Sequence, residues 1–264
     1  MSHLQREEIL SINQKGWNEV APKFYGGTAL PKYGPLAGTE DELNLIPNLQ
    51  GKRVMELGCG SGHSLAYLRE ARNASELWGL DFSDEQIYFT KELLEKKNIP
   101  VKLFLSSMDE NLGIPENYFD LVLSIYSLGW TPDLPRTIML TYSYLKPGGI
   151  FIFSWEHPAY RSLSYEAQTG KYVFDISYSD EGPVIDPSWK GVEIVINHRK
   201  LSTYINAVAQ SGLILEQVIE SEPNISLARA QDSAPEKWYN ILRAGFMPTT
   251  FIVKAHKPQP VPKL

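Results

Sequence analysis

This chain is poor in cysteine and in long apolar runs, and it carries no excess of positive charge. Its one cysteine, Cys59, cannot form a disulfide framework within the chain. A zinc site or iron–sulfur cluster held by this chain's cysteines is excluded on the same ground. No run approaches the ~18 apolar residues needed to span a bilayer, so no membrane role is expected. The start, Met1-Ser2-His3-Leu4-Gln5-Arg6, lacks the apolar core of a signal peptide, and the expected location is cytoplasmic. Net charge is -6, an unfavourable balance for a polyanion binder, and no nucleic-acid partner is expected. What is present is ordinary globular material, 43% hydrophobic and 21% charged over 264 residues, enough for one large α/β domain.

The most informative stretch is Val54-Met55-Glu56-Leu57-Gly58-Cys59-Gly60-Ser61-Gly62. It reads as a buried strand entering a glycine turn, with helix-forming Ser64, Leu65, Ala66, Tyr67, Leu68 and Arg69 directly after. Glycine lets backbone turn sharply or lie against a ligand. A strand, a glycine turn and a helix N-terminus make a nucleotide-sized site at the end of a parallel sheet.

The surrounding pattern supports that sheet. Strands are expected at 53–57, 76–80, 101–105, 119–125, 149–155, 213–219 and 250–256. Helices are expected at 5–21, 40–48, 63–72, 84–97, 133–145 and 200–211. Alternation of this kind implies βαβ units and a mostly parallel sheet. Ser83 is an N-cap with Gln86 three residues on, and Lys146-Pro147-Gly148-Gly149 turns a helix into the next strand. Residues 22–39 are rich in Gly, Pro and Tyr and read as a loop able to close over a ligand. Between 156 and 198 the pattern breaks into a tyrosine-rich segment, expected over the sheet's C-terminal edge. The expected architecture is a Rossmann-like, doubly wound, mostly parallel seven-stranded α/β sheet. It forms a single domain with an N-terminal helical lid (1–48), a cofactor-binding core (49–157), a cap insertion after the fifth strand (158–198), the rest of the core (199–257) and an extended tail (258–264).

Three features argue against a dinucleotide or a P-loop nucleotide. His63 stands where the third dinucleotide glycine belongs, no Gly-Lys-Ser/Thr follows the turn, and Glu56 would repel a pyrophosphate while favouring a cationic ligand. Asp81 ends the second strand roughly 20 residues beyond the turn, where an acid can accept both ribose hydroxyls.

Four blocks in order carry a family resemblance: Glu56-Leu57-Gly58-Cys59-Gly60-Ser61-Gly62, Gly79-Leu80-Asp81-Phe82-Ser83, Phe119-Asp120-Leu121-Val122-Leu123-Ser124 and Leu145-Lys146-Pro147-Gly148-Gly149. Together they resemble the motifs of class I S-adenosylmethionine-dependent methyltransferases of the small-molecule, methyltransferase domain 11/25-like type, over roughly 50–155. The resemblance implies S-adenosylmethionine as cofactor and S-adenosylhomocysteine as product. It implies a methionine site at Glu56, Gly58, Cys59, Gly60 and Ser124, a ribose site at Asp81, and an adenine site at Phe82, Ser107, Met108 and Asp109. The flanks are similar to a narrower group that includes bacterial indole C-methyltransferases, through Trp17-Asn18-Glu19-Val20-Ala21, Tyr33-Gly34-Pro35, Ser154-Trp155-Glu156-His157-Pro158, His198-Arg199 and Thr203-Tyr204. Trp17, Tyr25 and Tyr33 are therefore expected beside the cofactor, and Tyr126, Trp130, His157, Tyr160 and Tyr178 beside the acceptor.

Methyl transfer is an in-line displacement at an activated carbon, so the protein mainly orients, excludes water and, where needed, removes a proton. His157, His198 and Tyr25 are the candidate bases. Ser124-Ile125-Tyr126-Ser127 is not the Asn/Asp-Pro-Pro-Tyr of base-methylating enzymes, and the nearest acid to that strand end is Asp133, so no metal is expected. The expected partner is a small aromatic or apolar acceptor methylated on O, N or ring carbon, bound by a monomer or homodimer. A cofactor-binding subunit without catalysis is the alternative.

Overall fold

A computed structural model describes residues 4–27, 30–220, 222–228 and 233–260. In chain order its helices are α1 (Arg6–Phe24), α2 (Glu40–Leu43), α3 (His63–Glu70), α4 (Asp84–Lys96), α5 (Leu134–Tyr144), α6 (Pro158–Arg161), α7 (Leu201–Gln210) and α8 (Ile241–Ala244). Its strands are β1 (Arg53–Leu57), β2 (Glu76–Asp81), β3 (Lys102–Leu105), β4 (Phe119–Ile125), β5 (Leu145–Glu156), β6 (Leu163–Glu166), β7 (Lys171–Phe174), β8 (Gly182–Trp189), β9 (Val192–His198), β10 (Ile214–Glu220) and β11 (Thr250–His256).

Seven strands form one sheet in the order β10-β11-β5-β4-β1-β2-β3. The five from β5 to β3 are parallel, and β11 lies antiparallel between β5 and β10. Central strands are apolar on both faces because helices cover both. Alternate residues divide between two cores. Met55, Val122, Phe151, Phe153 and Phe251 pack with Ile138 of α5 and Val208 of α7. Val54, Leu121, Leu123, Ile152 and Ile252 pack with Leu65 and Leu68 of α3 and Leu94 of α4. Full burial of one such side chain contributes about 1.5–3 kcal/mol, so this double-sided packing stabilises the frame that carries the site.

Local signals set the helix starts. Ser83 Oγ accepts the Gln86 N–H at 3.2 Å, and Asp84 and Glu85 occupy the positive first turn of α4. Asp133, the acid nearest the β4 end, caps α5 by accepting the Arg136 N–H at 3.0 Å.

Some boundaries differ from expectation. Helix α1 continues through Pro22 to Phe24, α2 is a single turn, and β5 begins at Leu145 rather than 149. The 156–198 region folds into α6 and two antiparallel hairpins, β6–β7 and β8–β9. Helix α1 docks on β9 through Asn13, whose side chain donates to the Val195 carbonyl (2.8 Å) and accepts the Val195 N–H (2.6 Å). An amide side chain thus completes the hairpin edge as another strand would.

Candidate active site

The sheet order reverses between β1 and β4, and ligands bind at such a switch point beyond the C-terminal strand ends. The glycine turn opens there. Gly58, Gly60 and Gly62 all have left-handed φ, at 69°, 52° and 79°. The reasons differ. A Cβ on Gly58 would lie 2.4 Å from Ser127 Cβ, and one on Gly62 would lie 2.8 Å from Thr90 Cγ2, so both glycines serve packing. At Gly60 the nearest atom would be 3.9 Å away, which leaves space for a ligand beside that glycine, whose N–H is held by Asp81 and whose carbonyl accepts from Thr90.

Two carboxylates flank the turn. Glu56 is 1% exposed, and its Oε2 has no hydrogen-bond partner. Burial pushes its pKa up to about 8, with partial relief from the Ser64 hydroxyl and a further rise from the Asp81 charge. Asp81 is also buried, and its carboxylate accepts the N–H groups of Gly60 (2.9 Å) and Ser83 (3.0 Å). Burial lifts its pKa to about 6 against those hydrogen bonds. The site therefore has an unpartnered acidic oxygen, open space beside a glycine and a second acid aligned with the turn. That donor set fits a ligand with an ammonium group and a vicinal diol, as in the amino acid and ribose parts of S-adenosylmethionine.

The other expected cofactor residues divide. Met108 reaches the turn, its Cε 3.5 Å from a Cβ built on Gly58. Ser124 is buried at the end of β4, and its hydroxyl meets Ser127 Oγ at 2.7 Å, which in turn donates to the Leu57 carbonyl. Phe82 is half-buried beyond Asp81, and its carbonyl accepts from Gln14 of α1. Ser107 donates to Asp109, which is ion-paired to Arg6 at 2.8 Å. Burial would raise the Asp109 pKa, but hydrogen bonds from Arg6 and Ser107 and the Arg6 charge together hold it below the ordinary value.

Three expected contacts lie elsewhere. Tyr33 is fully buried, and its hydroxyl donates to Glu40 at 2.6 Å within the second core. Cys59 turns its thiol into that same core, so only its backbone is offered to the turn. Trp17 packs with Phe24, Trp130 and Trp189, at ring distances of 5.1–5.3 Å, where α1 meets the β8–β9 hairpin.

The candidate bases are corrected. His157 caps α6 with Nδ1 accepting the Ala159 N–H, which leaves the proton on Nε2 to donate to Glu220 at 2.6 Å. Both nitrogens are occupied within the protein. His198 Nε2 accepts from Arg161, and burial together with the Arg161 charge pushes its pKa down to about 4. Tyr25 lies against Phe89 and His63 on the β2 side, away from the β4–β5 edge. Its neighbour Gly26 donates to His63 Nε2, so His63 anchors the N-terminal segment.

At the C-terminal ends of β4 and β5 the structure assembles an aromatic wall. Tyr126 is a non-glycine residue at φ 55°, a costly conformation that concentrates at functional sites. Its ring lies 5.4 Å from Trp155, which lies 5.7 Å from Trp130. The Tyr126 hydroxyl donates to Tyr239 (3.0 Å), and Tyr239 donates to Glu156 (2.7 Å). Glu156 also accepts from Trp238 Nε1 (2.6 Å) and pairs with Arg161 (3.1 Å). Tyr160 is fully buried and donates to the Trp238 carbonyl, so it supports this network from behind. Tyr178 is exposed on an outer cleft, its hydroxyl accepting the Leu201 N–H. Sequence reasoning missed Trp155, Glu156, Arg161, Arg199, Trp238 and Tyr239 as site residues. Trp155, Glu156 and Arg199 stand within the motifs quoted above, beside the histidines that drew attention instead.

Comparison with known proteins agrees with this geometry. Residues 55–153 match the model of a methyltransferase domain family. An S-adenosylmethionine-dependent methyltransferase from Mesorhizobium loti is 28% identical, with a TM-score of 0.65 over 84% of this chain and all of that one. A Listeria monocytogenes protein assigned to the same class is 25% identical, with a TM-score of 0.66 over 82% of this chain and 96% of that one. A fatty-acid O-methyltransferase from Mycolicibacterium smegmatis is 29% identical over 54% of this chain, which spans 55% of that relative. With the turn, its two acids and the switch-point topology in place, the chain has the fold of S-adenosylmethionine-dependent methyltransferases, residues 55–153 carry a methyltransferase domain, and S-adenosylmethionine is its cofactor.

Proposed function

We propose that the chain methylates a small, partly aromatic or apolar acceptor held between the β4–β5 edge and the 156–204 region. The observation that carries this reading is the buried, unpartnered Glu56 oxygen beside Asp81, with open space at Gly60. Glu56 faces the ammonium group of the cofactor, Asp81 takes the ribose hydroxyls, and Met108 packs beside the turn. When bound, S-adenosylmethionine supplies a methyl carbon activated by a sulfonium sulfur.

The protein's own contribution is position and dryness. Tyr126, Trp130 and Trp155 form an electron-rich wall able to stabilise positive charge and to seat a flat acceptor. A proton leaving the acceptor has a path. Tyr126 oxygen takes it while passing its own to Tyr239, which passes one to the Glu156 carboxylate. His157 and His198 are left out of this path because their lone pairs are already engaged.

Titration calorimetry with S-adenosylhomocysteine, with NAD as a control, tests the cofactor site, and labelled S-adenosylmethionine with an acceptor panel tests transfer. Asp81→Ala is expected to weaken S-adenosylhomocysteine about 100-fold, as loss of a charge-assisted pair of hydrogen bonds implies. Unchanged affinity removes Asp81 from the site, and binding of NAD alone overturns the reading.

A further inference from the structure

A shallow, solvent-open cleft lies beyond the aromatic wall, between the end of β5 and the β9–α7 junction. Trp155 and Ile196 form its apolar side, and Glu156, Arg161, His198, Arg199 and Tyr204 its polar side. A second, outer cleft shares Arg161, His198 and Arg199 with it.

The charges in the inner cleft do not cancel. Arg161 is neutralised by Glu156, whose second oxygen is taken by Trp238 and Tyr239. Arg199 is half-buried, and it donates to the carbonyls of Thr131 (2.6 Å), Gly129 (3.4 Å) and Pro132 (3.4 Å). Among the described residues no carboxylate pairs with it. Tyr204 is 1% exposed, and its hydroxyl oxygen lies within hydrogen-bond reach of the Arg199 guanidinium, while its O–H proton has no acceptor among the described residues. An uncompensated guanidinium and a buried O–H without an acceptor are both costly, and both are satisfied by one anion. His198 adds no competing proton demand, since Arg161 already occupies its lone pair.

We propose that this cleft binds a carboxylate of the acceptor, held by the Arg199 guanidinium and the Tyr204 hydroxyl, with the apolar body along Trp155 toward Tyr126. This deepens the methyltransferase reading and rests on it. Asp180 lines the outer cleft together with the shared arginines, so a monoanion is favoured over a phosphate. A single carboxylate matches the one unpaired cation.

The test uses the full chain loaded with S-adenosylhomocysteine, titrated with phenylacetate, phenylacetamide and inorganic phosphate. Phenylacetate is expected to bind about tenfold tighter than its amide, as a charge-assisted contact implies. Arg199→Gln is expected to abolish that preference. Tyr204→Phe removes one hydroxyl from beside Arg199 and is expected to weaken phenylacetate about threefold to tenfold while leaving the amide unchanged, with a melting scan showing that the variant is folded. Neither substitution is expected to alter S-adenosylhomocysteine affinity. Equal binding of acid and amide, failure of phenylacetate to bind the loaded protein, or insensitivity to both substitutions overturns the proposal. Phosphate binding as tightly as phenylacetate overturns it in favour of an unselective basic patch. Failure of S-adenosylhomocysteine itself to bind indicts the underlying methyltransferase reading instead.

Discussion

Glu56→Gln is the most discriminating perturbation of the cofactor site. In the free protein the Glu56 pKa stands at about 8 because the carboxyl is buried with one oxygen unpartnered. At pH 7 it is then mostly protonated. An ammonium group brought against it reverses that balance, so binding expels a proton at pH 7. Calorimetry with S-adenosylhomocysteine in buffers of different ionisation enthalpy reads this release directly. The same linkage makes affinity rise about 20-fold from pH 6 to pH 7.5, below the range where the ligand amine loses its own charge. Stability moves the other way. A carboxyl with a folded-state pKa raised from 4.5 to about 8 stabilises the fold fully below pH 4.5. That contribution is lost as pH rises toward 8, by up to about 5 kcal/mol at ~1.4 kcal/mol per pH unit. Glu56→Gln is therefore expected to bind S-adenosylhomocysteine more weakly and without proton release, and to melt at a higher temperature than the parent at pH 9. Binding without proton release by the parent protein, or an affinity flat from pH 6 to pH 7.5, refutes the assignment of Glu56 to the ammonium.

Two further substitutions separate chemistry from support. Tyr126→Phe cuts the hydroxyl path to Glu156 and is expected to slow single-turnover methylation of a protonated nucleophile about 100-fold, with S-adenosylhomocysteine affinity held within about twofold; an unchanged rate removes the path. His157→Ala deletes the α6 cap and the Glu220 contact and is expected to cost about 1–2 kcal/mol in urea denaturation while leaving the methylation rate intact. A loss of rate with no loss of stability would restore His157 to the chemistry.

The division between what was legible and what was not follows the range of the interactions. The parallel core was readable because its signals are local. Each central strand is a short apolar run, Ser83 caps its own helix, and the left-handed φ values at Gly58, Gly60 and Gly62 demand glycine at those positions. The placement of Glu56 and Asp81 at the C-terminal strand ends was readable for the same reason, since a strand end puts its last side chains at the sheet edge wherever the rest of the chain goes. The acceptor side was misread at its histidines. Whether a histidine is a base depends on which atoms meet its nitrogens, and Glu220 lies 63 residues from His157 and Arg161 37 residues from His198. Tyr33 was drawn into the core by Glu40, and Trp17 by Trp130 and Trp189.

By itself, then, the order of strand, glycine turn and acid determined a class I nucleoside site and its sulfonium ligand, because backbone geometry and charge at that turn are set by neighbours in sequence. Only the tertiary structure decided which oxygens are left without partners. It spends both His157 nitrogens, ties Glu156 to Tyr239, and leaves one Glu56 oxygen without a partner and the Arg199 charge without a carboxylate among the described residues. Satisfaction of a buried polar group is a property of everything packed around it, and segments far apart in the chain supply that packing.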